Sequence, residues 1–327
     1  MPGFCVVFRY CPRLGSLKPN LPTVREDEAD VVSNLFSFQS MHMSPMVRQE
    51  GGCEGALRAG EQSQIPEITR MYSVVKAFGD EIRTTTVEVC TESRVIITLN
   101  GARIGDLSIT PLDLEPFARG YLVCEGYVTS VDEIEEIVID LPQIDITTRD
   151  PLPLAEGQFS KNSSGGSCRD LLPDGVYDPL PDGLVLSAQT ILRSMDHIQE
   201  YSVIWKRTGG MHCSLILNRD GAVIAGVEDM GRHTTVDKVV GMALMNGSDL
   251  SRCYLICSGR LPVDMVAKAY RAGIPVVVSN NAAFAGGIEF AKKTNMTLAG
   301  FVRPPQMTIY AGSHRIYFGD HEPSDGT

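Results

Sequence analysis

The stretch "CYLICSGRLPVDMVAKAYRAGIPVVVS", residues 253–279, decides the fold class. Its two ends, "CYLIC" and "IPVVVS", are short continuous apolar runs, which are typical of strands buried on both faces of a sheet. The segment between them, "PVDMVAKAYRAG", predicts a helix. A strand, a helix and another strand in succession indicate an α/β fold with a parallel sheet.

The neighbouring segments extend this alternation over residues 187–320. Before the stretch, "SAQTILRSMDHIQE" predicts a helix, "HCSLILNRDGAVIAGVED" predicts two strands around a turn, and "HTTVDKVVGMALMNG" predicts a helix with one apolar face. After it, "AAFAGGIEFAKKTN" predicts a helix, and "TLAGFV" and "MTIYAG" predict strands. We therefore expect an α/β domain with a substantially parallel sheet, in which ligands bind at the carboxyl ends of the strands.

Residues 67–150 predict a smaller α+β domain. "TTTVEVCTES" and "RVIITLNGARIGDLSIT" predict a hairpin and a further strand, with "NG" at residues 100–101 as a turn. "TPLDLEPFARGYLVCEG" predicts a helix with Thr110 as its N-cap, Pro111 as its first residue and Gly126 at its end. "SVDEIEEIVIDLPQIDITT" predicts a capped turn followed by one or two strands.

Two further segments lack the periodicity of helices or strands. Residues 1–66 are polar and rich in turn residues, and we expect a largely disordered extension. Residues 151–186 are rich in Pro, Gly, Asp and Ser, and they predict a long loop or linker. This loop contains "SKNSSGGSC", residues 160–168. Cysteine is among the residue types most often buried, so Cys168 in an exposed loop requires an explanation.

The composition excludes several classes of function. A 43% share of apolar residues is sufficient for a buried core, and the formal net charge of −11 disfavours a nonspecific nucleic-acid binder, which would be basic. No apolar run approaches the ~18 residues of a membrane span. We also find no secretory signal, and we expect a cytoplasmic protein. Local Arg side chains can still bind an anionic ligand.

The nine cysteines do not form a disulfide framework, because their number is odd and they are spread thinly. A structural zinc site is also disfavoured, since the chain has no Cys-x-x-Cys pair. Five cysteines lie in apolar periodic segments, and we interpret them as small buried residues in a reducing compartment. They are Cys90, Cys124, Cys213, Cys253 and Cys257.

Three loops in the α/β domain contain glycine, which makes the backbone flexible, together with an Arg or His side chain. They are "TGGMH" at 208–212, "EDMGRHT" at 228–234 and "SGR" at 258–260. Glycine lets backbone N–H groups approach a ligand, and helix N-termini favour anions. An ordinary turn with a capped helix explains any one loop, but three of them favour a phosphate-bearing ligand.

The polar side chains of these loops have two interpretations each. Arg232 and Arg260 are suited to bind phosphate through two hydrogen bonds. His212 and His233 are proton carriers or metal ligands in one interpretation and hydrogen-bonded structural residues in the other. Similarly, Glu228 and Asp229 either bind ligand hydroxyls or cap the following helix.

Several motifs in order resemble the FdhD/NarQ family of formate dehydrogenase accessory proteins. They are "TGGMHCSLI", "EDMGRHTTVDKVVG", "SGRLPVDMVAKAYRAGIPVVVS" and "TLAGFVRPPQMTIY", joined in the smaller domain by "LNG" and "TPLDLEPFARGYLVCEG". The resemblance covers about residues 72–318. It implies a cytidine-deaminase-like α/β domain and a homodimer.

The resemblance also implies an activity. Family members pass sulfur from a cysteine desulfurase to the bis-molybdopterin guanine dinucleotide molybdenum cofactor before that cofactor enters formate dehydrogenase. A loop cysteine carries the sulfur as a persulfide, and it is often taken to be the first of two, whereas Cys168 matches the second. Either Cys168 does this work alone, or sulfur transfer is impaired in this chain. The stretch that matches the cofactor-contacting segment of the family is "FVRPPQ", which comprises Phe301, Val302, Arg303, Pro304, Pro305 and Gln306.

On this hypothesis Arg232, Arg260 and Arg303 hold phosphates or the guanine ends of the cofactor. Four other residues shape the pocket, namely Gly209, Gly210, His212 and His233. The chain departs from the family at two positions. Many members have Cys-Gly-x-Cys in the loop, where this chain has "GGSC" with Gly165 in place of the first cysteine. Some members have Arg at the position of Gln306.

Two other functions remain open at this point. A non-catalytic chaperone would bind the same cofactor without transferring sulfur, and the missing first loop cysteine supports it. A zinc deaminase is suggested by the fold resemblance, but this chemistry needs His-x-Glu and Pro-Cys-x-x-Cys. The sequence around His212 is "MHCS", without that glutamate, and no Pro-Cys-x-x-Cys is present.

Overall fold

Residues 67–150 and 177–319 are described by the computed structural model, together with the backbone of residues 160–161 and 167–168. The expected extension over residues 1–66 and most of the expected loop over residues 151–186 lie outside this part. The helices are α1 (Leu114–Cys124), α2 (Ala188–Tyr201), α3 (Val203–Thr208), α4 (Arg232–Met245), α5 (Val263–Arg271) and α6 (Ala285–Lys293).

Sixteen strands form five sheets within the described residues. The strands are β1 (Thr69–Phe78), β2 (Glu81–Cys90), β3 (Ser93–Leu99), β4 (Ala102–Ile109), β5 (Ile134–Asp140), β6 (Gln143–Thr148), β7 (Ser160–Lys161), β8 (Ser167–Cys168), β9 (Leu186–Ser187), β10 (His212–Asn218), β11 (Val223–Asp229), β12 (Cys253–Cys257), β13 (Val276–Ser279), β14 (Thr297–Arg303), β15 (Gln306–Ala311) and β16 (Ile316–Tyr317).

A six-stranded sheet in the order β11-β10-β12-β13-β14-β15 forms the centre of the α/β part. Strand β13 pairs in parallel with β12 and β14, as the opening stretch predicts. The other three pairings are antiparallel. The expectation of a substantially parallel sheet is therefore wrong. The short β10–β11 and β14–β15 turns form hairpins, which can join only antiparallel neighbours.

Helices cover both faces of this sheet because successive side chains of its strands point to opposite faces. Leu255 and Val277 face α4, α5 and α6 in one hydrophobic cluster. Ile256 and Val278 face α2 in a second cluster. This arrangement explains why every residue of "CYLIC" and "VVVS" is buried.

The smaller part of the chain is built on a four-stranded sheet in the order β4-β3-β6-β5. Asn100 and Gly101 form the predicted β3–β4 turn, with φ of 50° and 82°. A short 3-10 turn over Val131–Glu133, capped by Ser130, precedes β5 as the sequence indicates. The turn chemistry of this part could thus be predicted in detail.

The predicted start of α1 is wrong. The helix begins at Leu114 after Asp113, and its expected N-cap Thr110 lies four residues upstream in a buried polar network. The Thr110 N–H donates to Asp229 Oδ2 at 3.0 Å, and its carbonyl accepts from Lys238 Nζ at 2.9 Å. The Thr110 hydroxyl, which a cap would need, instead accepts the distant Met230 N–H at 3.2 Å. The predicted end is confirmed, since Gly126 follows the helix with φ of 69°.

Helix α1 packs directly on α4 through two glycines. A Cβ atom on Gly120 would lie 1.8 Å from the Asp237 carbonyl oxygen, and one on Gly241 would lie 1.8 Å from that of Pro116. The two backbones therefore touch, which brings α1 into the hydrophobic cluster of the α/β part. Residues 67–150 and 187–319 share this core.

Candidate functional site

A cavity of about 370 Å³ lies at the edge of the central sheet where β12 and β13 end. Carboxyl ends of parallel strands are the usual ligand-binding edge of an α/β sheet. Strand β10 begins and β11 ends at the same edge because both run antiparallel to their neighbours. The lining residues are Ile198, Gln199, Ser202, Trp205, Gly209, Gly210, Met211, His212, Met230, Ser258, Asn280 and Asn281.

Three predicted pocket residues, Gly209, Gly210 and His212, line this cavity. His212 Nδ1 lies 3.2 Å from Ser258 Oγ, which also accepts the Cys213 N–H at 2.9 Å. The Asn281 side chain donates to the Ser258 carbonyl at 2.8 Å. Burial, followed by the charge of nearby Arg232, lowers the pKa of His212. A neutral imidazole therefore faces the cavity at neutral pH.

Glu228 does not line the cavity but fixes one of its walls. Its carboxylate accepts the backbone N–H groups of Ile204 at 2.7 Å and Trp205 at 2.8 Å. Glu228 therefore caps the N-terminus of α3, which carries Trp205 on the cavity wall. A role in binding ligand hydroxyls is not supported by this geometry, because both carboxylate oxygens have backbone partners.

Asp229 is fully buried and holds the start of α4. Its carboxylate accepts from the Gly231 N–H at 2.8 Å and from Lys238 Nζ at 2.7 Å, in addition to the Thr110 N–H. Both partners of the Lys238–Asp229 ion pair are inaccessible to solvent. Asp229 therefore orders the loop before α4 through the Gly231 N–H and does not cap the helix itself, whose N-cap Gly231 has no side-chain cap bond. Its complete burial also argues against a ligand contact.

His233 lies in the first turn of α4 and is buried, and it does not line the cavity. Its Nε2 lies 2.7 Å from Asp264 Oδ2 on α5. Burial lowers the pKa of His233, although hydrogen bonding and the charge of Asp264 oppose this shift. The side chain therefore connects α4 to α5, as the structural interpretation of this histidine predicts.

Two predicted phosphate ligands, Arg232 and Arg260, lie close to the cavity, and their charges act on His212. Arg232 is the first residue of α4, and its Nε atom is buried without a hydrogen-bond partner in the described part of the chain. Arg260 is exposed, and its guanidinium lies over the Phe284 ring at 5.9 Å. Both cations therefore remain available to an anionic ligand.

The "FVRPPQ" stretch forms the end of β14, the turn and the start of β15. Val302 is buried, whereas Phe301, Arg303, Pro304, Pro305 and Gln306 are exposed. The stretch does not line the cavity, but the Phe301 N–H donates to the carbonyl of the lining residue Asn281 at 3.0 Å. It therefore lies directly beside the cavity rim.

The side chain of Cys168 lies outside the described residues, and only its backbone in β8, paired with β7, is defined. Cys124, Cys213, Cys253 and Cys257 are buried, as predicted. Burial raises the pKa of the Cys213 thiol to about 12 and those of Cys253 and Cys257 to about 11.

Cys90 is only partly buried, which differs from the prediction. Its thiol donates to Thr208 Oγ1 at 3.0 Å, close to Gly210 on the cavity wall. Among the cysteines whose side chains are described, Cys90 is therefore the one that a reagent could reach.

Over residues 67–150 and 177–319, no three His, Cys, Asp or Glu side chains are grouped so that they could hold a metal ion. The same part of the chain has no helix with the length and apolarity that a membrane span requires.

Comparison with protein families matches residues 90–317 to the FdhD/NarQ family. The chain belongs to this family. The matched region contains all three glycine loops, the cavity and the "FVRPPQ" stretch, so the resemblance inferred from the motifs is confirmed.

Curated relatives of this FdhD/NarQ member are similar over nearly their whole length. The sulfur carrier protein FdhD of Methanothermobacter thermautotrophicus is 32% identical over 255 residues, which are 75% of this chain and 99% of the relative. The sulfur carrier protein FdhD of Streptomyces avermitilis is 31% identical over 271 residues, which are 76% of this chain and 96% of the relative.

A solved structure agrees with the fold. The crystal structure of a protein from Desulfotalea psychrophila, described as a formate dehydrogenase accessory protein, superimposes with a TM-score of 0.63 at 26% identity. The superposition covers 77% of this chain and all of that one. The mixed α/β architecture is therefore that of the FdhD/NarQ family.

Sequence reasoning missed several cavity residues of this FdhD/NarQ member. Asn280 and Asn281 follow the buried strand β13, and a polar pair directly after a buried strand is a signal that could have been used. Trp205 and Gln199 carried no such signal, because they belong to helical segments that reach the cavity only through tertiary packing.

Proposed function

We propose that this chain is a sulfur carrier in the maturation of formate dehydrogenase. In this proposal it accepts sulfur from a cysteine desulfurase on Cys168 and passes it to the bis-molybdopterin guanine dinucleotide molybdenum cofactor, which is its substrate. The carrier works as a cytoplasmic homodimer with a cytidine-deaminase-like α/β domain. Family membership carries the proposal, since the curated relatives compared above are described as sulfur carriers.

The first chemical step is an exchange between sulfur atoms without net oxidation. The Cys168 thiolate attacks the terminal sulfur of a persulfide on the desulfurase. A sulfur–sulfur bond forms at Cys168 as the one on the desulfurase breaks, and the desulfurase cysteine leaves as a thiolate that takes up a proton. Transfer to the cofactor would then break the sulfur–sulfur bond at Cys168 and release Cys168 as a thiolate, while the reduced metal of the cofactor would supply the two electrons that convert the transferred sulfur to sulfide.

In this proposal the cavity holds the nucleotide ends of the cofactor, and the cations that flank it support this assignment. Arg232 has an unpaired buried Nε atom, and Arg260 presents an exposed guanidinium. Arg303 is an exposed third cation, two residues after Phe301, whose backbone contacts the lining residue Asn281. Guanidinium groups bind phosphate through paired hydrogen bonds, which favours a diphosphate at this edge of the sheet.

The other cysteines leave few alternatives to Cys168 as the carrier. The thiolate is the reacting form of cysteine, and burial disfavours it. The raised pKa of Cys213, Cys253 and Cys257 therefore makes these thiols unreactive. Burial also raises the pKa of Cys124 well above its usual value. Cys90 is the described thiol that competes with Cys168.

A second candidate function is a chaperone that binds the cofactor without transferring sulfur. The observation that favours it is Gly165, which stands where many family members have the first loop cysteine. In that case the cavity and its cations would suffice, and replacing Cys168 would leave formate dehydrogenase maturation unchanged.

Intact-protein mass spectrometry tests the carrier directly. The full chain is incubated with an active cysteine desulfurase and cysteine, and the mass is measured before and after reduction. We expect wild type to gain one sulfur atom that a reducing agent removes. Cys168→Ala should gain none, because it lacks the accepting thiolate.

Cys90→Ala is the matched control, since it removes the partly exposed thiol near the cavity. It should gain sulfur as wild type does. A gain that persists in Cys168→Ala but is lost in Cys90→Ala would move the carrier to Cys90. No gain in wild type would favour the chaperone.

A further inference from the structure

A two-stranded ribbon, formed by β1 and β2, ends against the short helix that carries Trp205 on the cavity wall. Strand β2 ends at Cys90, and two of its side chains contact the last turn of α3. Glu88 pairs with Arg207 at 2.9 Å, and the Cys90 thiol donates to Thr208 Oγ1 at 3.0 Å. The six-residue helix α3 is therefore in contact with both the ribbon and the cavity.

Three hydrogen bonds meet at the Thr208 hydroxyl. It accepts from Cys90 Sγ, donates to the Ile204 carbonyl at 2.8 Å and accepts the Gly210 N–H at 3.2 Å. A hydroxyl has one proton to donate and two lone pairs to accept. The Thr208 hydroxyl therefore uses its full hydrogen-bonding capacity, and its three partners belong to the ribbon, to α3 and to the cavity wall.

The turn beside this hydroxyl has no side chains of its own. Gly209 adopts a left-handed conformation with φ of 71°, and its N–H donates to the Trp205 carbonyl at 2.6 Å. Gly210 uses the Thr208 hydroxyl as the partner of its N–H. Glycine loses more conformational freedom on folding than any other residue, so a turn of two glycines depends on its backbone hydrogen bonds. Both of these bonds end on α3.

The cavity wall at this turn is thin. A Cβ atom on Gly210 would lie 2.9 Å from Cys90 Sγ, so the thiol occupies the space that a side chain would need. Gly209 and Gly210 line the cavity, whereas neither Thr208 nor Cys90 does. Thr208 can therefore affect a ligand in the cavity only through the turn.

We propose that Thr208 is a positioning residue for the nucleotide-binding cavity. Its hydroxyl fixes the Gly209–Gly210 turn and, through it, the start of β10, where His212 lines the cavity. The inference rests on the proposed function in taking a guanine nucleotide as the ligand of this cavity. It assigns a role to the threonine of "TGGMH", the one residue of this motif whose side chain bonds to three separate elements.

Thr208→Val and Thr208→Ser in the full-length chain test this role. Valine keeps the branched shape of threonine without the hydroxyl, whereas serine keeps all three hydrogen bonds. We expect Thr208→Val to bind guanosine diphosphate roughly three- to tenfold more weakly in a titration of Trp205 fluorescence, which corresponds to the loss of one hydrogen bond. Thr208→Ser should bind it as wild type does. The amides of residues 209–212 should exchange with deuterium faster in Thr208→Val and at the wild-type rate in Thr208→Ser.

The matched control is Thr294→Val at the end of α6. The Thr294 hydroxyl donates to the Phe290 carbonyl at 2.7 Å, four residues earlier in the chain, as the Thr208 hydroxyl does to Ile204. Thr294 does not line the cavity. Thr294→Val should therefore retain the wild-type nucleotide affinity and the wild-type exchange of residues 209–212.

Equal nucleotide affinity in wild type and Thr208→Val would overturn the proposal, as would an equal loss in Thr208→Ser or in Thr294→Val. Unchanged exchange of residues 209–212 in Thr208→Val would overturn it as well. In each of these cases wild type still binds guanosine diphosphate, so the proposed function stands. A wild type that does not bind guanosine diphosphate would instead overturn the nucleotide assignment of the cavity, and this inference with it. The persulfide measurement is independent of both.

Discussion

The buried lysine of α4, Lys238, connects segments beside the cavity to the core through hydrogen bonds and an ion pair. Lys238 donates to Asp229 and to the Thr110 carbonyl, and both charged groups of the ion pair are fully buried. The network connects the end of β4 to the loop between β11 and α4. Its partners are more than a hundred residues apart in sequence, so no local pattern could predict it.

Removing this lysine should therefore destabilise the fold strongly. We expect Lys238→Met to lower the free energy of unfolding by about 3–5 kcal/mol, because it leaves the Asp229 carboxylate buried without its cation. Urea denaturation measures the change. The control is Arg119→Met, which removes an exposed pair with Glu115 and should cost less than ~1 kcal/mol. Equal losses in both variants would contradict the assigned role.

His233 should make stability depend on pH. Burial lowers its pKa in the folded state below the ordinary value of 6.5, so the unfolded chain binds the proton more readily. Its contribution to stability is complete above about pH 6.5 and declines as pH falls through the lowered folded pKa. Urea denaturation at pH 7.5 and at lower pH should show that the free energy of unfolding of wild type falls as the pH is lowered. This fall should be smaller in His233→Gln. His197→Gln, at a half-exposed position, should retain the wild-type slope.

At the scale of elements, the contact of α1 with α4 depends on two glycines. Sequence analysis placed both helices correctly along most of their length, but nothing in the apolar periodicity indicated where they cross. Gly120 and Gly241 read as ordinary interior glycines, which weaken a helix. Their function is visible only when a carbonyl of the partner helix lies where a side chain would be.

Gly241→Ala should therefore destabilise the protein, although alanine is the better helix former. The added methyl group would lie 1.8 Å from a backbone carbonyl that cannot move alone, and we expect a loss of about 3 kcal/mol or more. Gly286→Ala on α6 is the matched control, because its methyl group would meet Val263 at an ordinary 3.5 Å. This control should be neutral or stabilising by ~0.5–1 kcal/mol in thermal unfolding. Equal melting temperatures for both variants would argue against the close crossing.

The elements that sequence analysis predicted best are those with local signals. Buried runs such as "CYLIC" and the Asn100–Gly101 turn have the expected structure. The start of α1 was misplaced because Thr110 bonds to distant residues rather than capping its neighbours. Strand direction in the central sheet was also misjudged, since apolar runs do not distinguish a parallel neighbour from a hairpin partner.

At the scale of the whole molecule, the glycine loops predicted the region of the cavity but not its composition. His212, Gly209 and Gly210 line it. Arg232 and His233 lie beside it, while Glu228 and Asp229 support the helices around it. The loops converge because the strands that carry them end at one edge of the sheet, which follows from topology rather than from any single motif.

The proposed function divides the molecule into a sulfur-carrying loop and a nucleotide-binding cavity, which should be separable by mutation. The chain has a single tryptophan, Trp205, and it lines the cavity. We therefore expect guanosine diphosphate to change its fluorescence on binding. Cys168→Ala should bind the nucleotide as wild type does, although it accepts no sulfur.

His212→Ala should show the opposite behaviour, with sulfur acceptance retained and nucleotide affinity reduced roughly five- to tenfold, because a hydrogen bond contributes ~1–1.5 kcal/mol. The control is Arg252→Ala, which changes a second cavity of about 230 Å³ and should leave both measurements unaltered. If His212→Ala binds the nucleotide normally, the ligand occupies another surface. If Cys168→Ala loses nucleotide binding as well, loop and cavity act as one site, and sulfur would then be transferred beside the bound nucleotide.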